Sequence, residues 1–130
     1  MKELSRTLGS MTYDGLISGL NPSIRVGGGI LAKLTEAAVY PRGTILAKSA
    51  GDGKLYMLGS SAGGGDLTPE GILCDDTEVG TEEDTPVVLY LAGCFDPGKV
   101  TVAEGYTLSE ADKDKLRAFQ IVFKSASPEL

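Results

Sequence analysis

The sequence predicts a mainly β chain with one C-terminal helix, an α+β domain of the small barrel or sandwich kind. Three observations predict it. Short apolar runs, most of three to seven residues and bounded by turn residues, recur from Ile30 to Phe123. Glycine, 18 of 130 residues, is about double its usual ~7% share, which favours tight turns over long helices. Only the segment beginning near Thr107 carries the chemistry of a helix start. The length sets an expectation of one domain.

Residues 1–29 do not read as a packed element. Their apolar side chains, among them Met11, Tyr13, Leu16, Ile17, Ile24 and Val26, are interrupted by Gly9, Gly15, Gly19, Pro22 and Gly27-Gly28-Gly29, which break both helical and strand periods. The segment is too apolar for an inert solvated tail, and one reading is a flexible N-terminal arm that orders on a partner. The other is a frayed terminus with an edge strand over residues 23–26.

Residues 30–124 form the expected β-rich body. Ile30-Leu31-Ala32 and Ala37-Ala38-Val39-Tyr40 are short apolar runs, followed by a turn at Pro41-Arg42-Gly43. Residues 44–48 and 54–58 are β-type runs joined by Gly51-Asp52-Gly53, a hairpin signal. Gly71-Ile72-Leu73-Cys74 reads as a buried strand, residues 75–85 as an acidic excursion, and residues 86–92 as the most apolar strand. A turn at Asp96-Pro97-Gly98 leads to Lys99-Val100-Thr101-Val102-Ala103, which alternates with period two. Thr107 with Glu110 offers a capping box, and Lys115 and Arg117 sit where the helix dipole favours cations. Ala111, Leu116 and Phe119 mark its expected buried stripe. Ile121-Val122-Phe123 reads as a last strand and residues 125–130 as a tail.

Composition narrows function. The chain has no His, so it holds no Ser–His–Asp triad, no Cys–His pair and no imidazole ligand. Twelve Lys and Arg stand against 18 Asp and Glu, a net charge of −6, which argues against direct nucleic-acid binding. The division is uneven: residues 1–50 carry +3 and residues 51–130 carry −9, with eight acids and no base between residues 66 and 84. No apolar stretch approaches the ~20 residues that span a bilayer, and the N-terminus leads into no signal-peptide core. The expectation is a soluble protein made in the cytoplasm, with no membrane partner. Cys74 and Cys94 could form one bridge; without an export signal, two reduced, buried thiols are expected.

Motif by motif, the chain offers no persuasive active site. Gly93 to Lys99 approximates a phosphate-binding loop, but Val100 replaces the Mg²⁺-ligating hydroxyl and a strand pattern follows where the anion site needs a helix. Lys54 follows Gly53 rather than an acid and starts a strand, unlike a modified carrier lysine. The clusters Asp75/Asp76/Glu78 and Glu82/Glu83/Asp84 lack the Ca²⁺-loop spacing and read as a solvated acidic loop. No enzyme, cofactor or metal is expected.

The order of segments carries a resemblance. Leu16-Ile17-Ser18-Gly19 comes first, and Thr44-Ile45-Leu46-Ala47 follows Pro41-Arg42-Gly43. Then come Gly53-Lys54-Leu55-Tyr56, a Gly-rich loop, and Pro69-Glu70-Gly71-Ile72-Leu73-Cys74-Asp75-Asp76. Residues 87–93 with Phe95, a late helix and Ile121-Val122-Phe123 complete the series. Over residues 16–124 this resembles the tailed-bacteriophage head decoration family related to the lambda capsid-stabilising protein. The connection over 93–106 is short for that pattern, and residues 1–15 match no part of it. The resemblance implies a compact small β-barrel or β-tulip-like domain that forms homotrimers on the outer capsid surface of the virion. Its partner would be the major capsid protein of the expanded head, clamped at three-fold and quasi-three-fold sites against DNA pressure. The N-terminal arm would bind the shell, through Met11, Tyr13, Leu16, Ile17, Ile24 and Val26. The alternative is a β-barrel interaction or ligand-binding module that never enters a virion.

Overall fold

A computed structural model describes residues 16–19, 22–60 and 67–124. Among these residues nine strands occur, in the order β1 (Ile17–Gly19), β2 (Arg25–Leu31), β3 (Ala38–Tyr40), β4 (Ile45–Ser49), β5 (Leu55–Met57), β6 (Leu67–Leu73), β7 (Thr77–Val79), β8 (Thr85–Phe95) and β9 (Ile121–Phe123). A 3-10 turn (Pro97–Lys99) follows β8, and one helix, α1 (Glu110–Ala118), precedes β9.

Five strands close into a barrel, in the order β8-β2-β5-β4-β6 and back to β8. All contacts around it are antiparallel except β2 with β5, which meet in parallel at Leu31 and Leu55. The hairpin expected around Gly51-Asp52-Gly53 is β4–β5, with Lys48 opposite Leu55. β8 is the organising element. Its residues from Thr85 to Ala92 pair with β2, while Gly93, Cys94 and Phe95 leave the barrel to pair in parallel with β9 and, through Cys94 and Phe95, antiparallel with β1.

The barrel wall separates two apolar clusters. Leu31, Leu46, Leu55, Leu73, Val87 and Leu89 belong to one cluster, and every barrel strand contributes to it, which identifies it as the lumen. Tyr40 and Val79 from the β3–β7 ribbon join the same cluster. Alternate residues point the other way: Ile45, Ala47, Ile72 and Tyr90 pack with Leu16, Phe95, Leu116 and Ile121. β4 is therefore buried on both faces, and its Ile-Leu-Ala run is continuously apolar for that reason.

Four expectations change. First, residues 17–19 and 25–29, in which the sequence shows no regular strand period, lie in β1 and β2. The glycine triplet does not break β2; it lets β2 lie over the lumen. A Cβ at Gly27 would come within 2.4 Å of the Leu91 Cδ1, and one at Gly29 within 2.5 Å of the Leu55 Cδ1. Second, the acidic excursion holds a strand, β7, whose Val79 is fully buried while Glu78 faces solvent. Third, residues 99–103 form no strand. Thr101 makes a single bridge to Thr44, and its carbonyl accepts from the Ile45 N–H.

Fourth, the helix starts two residues later than Thr107 suggested. Ser109 is the N-cap: its hydroxyl accepts the Asp112 N–H at 3.1 Å, and the Asp112 carboxylate accepts the Ser109 N–H at 3.2 Å. The Tyr106 hydroxyl donates to the same carboxylate. The buried positions of α1 are Asp112 and Leu116, whereas Ala111 and Phe119 are exposed. Burial pushes the Asp112 carboxyl upward, but hydrogen bonds from Tyr106 and Ser109 together outweigh it and hold the carboxyl below its ordinary value. Its contribution is thus present at neutral pH and is lost as pH falls below about 4 through the depressed folded-state value. Asp112→Asn is expected to lower stability by ~1–2 kcal/mol at pH 7. Thermal melts across pH 2–7 should show the difference from wild type shrinking as the pH falls below about 4.

Candidate functional site

The barrel exposes one apolar strip. On β2, residues 27, 29 and 31 face the lumen, so Val26, Gly28 and Ile30 face outward. Val26 is 53% exposed and Ile30 45%. Across the antiparallel ladder Gly28 opposes Val88, and Ile30 opposes Pro86. Val88 is 51% exposed and Pro86 is also exposed. Ile24, just before β2, adds a fourth large apolar side chain at 42%. Opposed residues in such a ladder lie about 5 Å apart, so these side chains form one surface with glycine leaving a flat spot at its centre. Single exposed apolar residues need no explanation, but a contiguous strip marks a protein-contact surface.

Next to the strip, Tyr90 opposes Val26 in the same register but is buried. Arg42 covers it. The guanidinium lies 5.4 Å from the Tyr90 ring centroid, donates to the Tyr90 hydroxyl and donates to the Cys74 carbonyl at 3.0 Å. The buried Cys74 thiol is pushed up to about 11, mainly by burial and also by Asp75, against the opposing influence of Arg42. It therefore stays protonated near neutrality, the opposite of a nucleophilic cysteine. Cys94 is also a free, buried thiol, as expected.

The acidic residues hold loops in place. Asp76 accepts the Arg42 N–H at 2.7 Å, and Asp84 accepts the Lys33 N–H at 2.9 Å and an ion pair from Lys54 at 2.8 Å. Asp84 is held below the usual carboxylate range first by Lys54 and then by the Lys33 N–H. Among the described residues, no group of three or more Cys, Asp and Glu side chains is placed to hold a metal.

The six residues expected from sequence do not share one environment. Met11 and Tyr13 lie outside the described residues. Leu16 is 1% exposed and packs in the core, while Ile17 is half-buried against it. Their inward placement follows from β1, whose pairing with the end of β8 sets Leu16 beside Phe95. Ile24 and Val26 face outward on the strip. Ile30 and Val88 were missed. The available signal was the four-residue spacing of Val26 and Ile30, and the doublet Val87-Val88, which gives β8 an apolar side chain on each face.

Among the described residues, the small closed barrel leaves one apolar sheet face uncovered, with loops tied by backbone hydrogen bonds and the Lys54–Asp84 ion pair, the form of a protein-contact domain. Which one is settled by sequence: the pattern of bacteriophage lambda head decoration protein D matches residues 7–122. The chain belongs to that family and is a phage capsid decoration protein. Comparison with curated proteins finds no match.

Proposed function

We propose that the protein binds the outer surface of the expanded phage head as homotrimers at three-fold and quasi-three-fold positions, and stabilises the shell against DNA pressure. The observation that carries this reading beyond family membership is the strip formed by Ile24, Val26, Ile30 and Val88, exposed on an otherwise well-filled barrel. The shell protein is the occupant, because the strip begins at Ile24 and Val26, within the segment of residues 1–29 expected to reach a partner. Residues 1–15, with Met11 and Tyr13, supply a second contact by adding backbone hydrogen bonds to shell segments.

Each contact alone is weak, since ordering an extended segment consumes several kcal/mol. Three copies per trimer multiply the effective affinity through proximity, by ~10²–10⁴ for linked sites. Selective binding to the expanded lattice stabilises that lattice by mass action. The test is co-sedimentation with expanded, undecorated heads, alongside analytical ultracentrifugation of the free protein. Wild type should pellet at saturating stoichiometry. Removing residues 1–15, which keeps every residue of β1 and the barrel strands in the chain, should weaken pelleting at least tenfold, with circular dichroism melts to check the fold. Equal pelleting of the shortened chain would refute the arm's role, and no pelleting of wild type would refute head binding.

A further inference from the structure

β9 has one partner. The Gly93 N–H donates to the Gln120 carbonyl at 2.9 Å, and the Lys124 N–H donates to the Phe95 carbonyl at 2.8 Å. In a parallel pair the bonding residues alternate, so the backbone groups of Ile121 and Phe123 point away from β8. Among the described residues no strand pairs with that edge. A groove of about 340 Å³ runs there, walled by Pro97, by Glu110, Lys113 and Arg117 of α1, and by residues 121–124. A sheet face contributes alternate residues to a groove; four consecutive ones mark the strand's edge as the wall.

The charge of this groove is opposite to that of the molecule. Lys113, Arg117 and Lys124 face one carboxylate, Glu110, on a chain of net charge −6. Lys113 reaches Glu110 at 3.5 Å, and Arg117 reaches Asp114 at 2.6 Å. Both are helix-surface pairs that a stronger carboxylate partner can displace.

We propose that this groove binds an extended acidic segment of a partner protein by strand addition. The segment's backbone pairs with Ile121 and Phe123, and its carboxylates meet Lys113 and Arg117. Spacing supports the match. Residues four apart on a helix advance about 6 Å, and residues two apart on a strand about 6.6 Å. Acids at alternate positions of a strand lying along α1 therefore fall in step with the two cations. A phosphate backbone fits less well, because the β9 edge offers carbonyl oxygens as well as N–H groups, and Glu110 repels it.

The test uses a labelled eight-residue peptide alternating Glu with Val and Thr, titrated into the full chain by fluorescence anisotropy without phage heads. Success or failure here is thus separate from head binding. Binding should saturate, the paired variant Lys113→Glu with Arg117→Glu should weaken it at least tenfold, and bound peptide should slow hydrogen exchange at the Ile121 and Phe123 amides. Both substituted residues are surface positions, and unchanged thermal melts will show that the variant folds. The proposal is overturned by no binding up to millimolar peptide, or by equal binding of the same peptide with Lys for Glu. It is also overturned if a thymidine oligonucleotide competes for the groove. Self-association lost in the paired variant would make a second copy the occupant and likewise overturn it.

Discussion

Val88→Glu should reduce binding to expanded heads at least ~100-fold while leaving the barrel folded. Val88 is about half exposed, opposite Gly28 at the middle of the apolar strip, so glutamate there reaches solvent in the free protein. In the proposed bound state its carboxylate would be trapped between apolar surfaces without a partner, a cost of ~3–5 kcal/mol for an unpaired buried charge, which corresponds to more than two decades in affinity. Co-sedimentation with heads measures the loss, and circular dichroism melts confirm the fold. Val88→Thr, of similar shape, should retain most of the binding. If Val88→Glu pellets like wild type, the strip does not contact the shell. If it dissociates trimers while its monomers still pellet, the strip is a contact between copies.

The largest loss of stability is expected at Gly43. Its φ of +98° lies where a side chain is strained, and a Cβ there would sit 2.8 Å from the Lys99 carbonyl oxygen, a backbone atom that cannot swing aside. Its N–H donates to the Leu73 carbonyl and its carbonyl accepts from the Thr101 N–H, so relief of the clash disturbs two connections at once. Gly43→Ala should cost at least ~3 kcal/mol, from about 1–2 of left-handed strain plus overpacking. That corresponds to a Tm roughly 10 °C lower or more. Gly53→Ala is the control: φ is +74°, and nothing lies within 4 Å of the added Cβ. Its loss should stay near ~1 kcal/mol. Similar losses at both sites would show that the contact with Lys99 is relieved by small movements.

Much of the barrel was legible because its strands carry local signals. β4, β5 and β8 read as strands, and Gly51-Asp52-Gly53 joins the first two as expected. β2 was not legible, because the information that excuses Gly27 and Gly29 lies elsewhere, in Leu91 and Leu55, which occupy the space their side chains would need. β7 escaped notice because one inward residue, Val79, does the packing among acids that stay wet. Residues 99–103 misled in the other direction. Val100 and Val102 do lean on the core, which produces the alternation, but the backbone finds a single bridge instead of a ladder. The helix start was displaced because a buried Asp112 bonded to Tyr106 outcompeted the more familiar Thr–Glu pairing. For the candidate site, Ile24 and Val26 were recognisable as apolar residues in search of a partner. That Leu16 and Ile17 already had one depends on the far end of β8, nearly eighty positions away.

The sharing of β8 between the barrel and the outer β1–β8–β9 sheet has a mechanical consequence. If the strip is the shell contact proposed above, a shell that drags on Val26 and Val88 pulls on β2 and β8, which are joined over seven register positions. Load directed along those strands is carried in shear, with all the bonds sharing it and none able to open first. Load directed across β9 meets only three register positions, which can open one after another like a zip. The domain is therefore stiff along one axis and compliant along another. Single-molecule pulling from residues at the ends of β2 and β8 should give a higher rupture force than pulling β9 away from its neighbour.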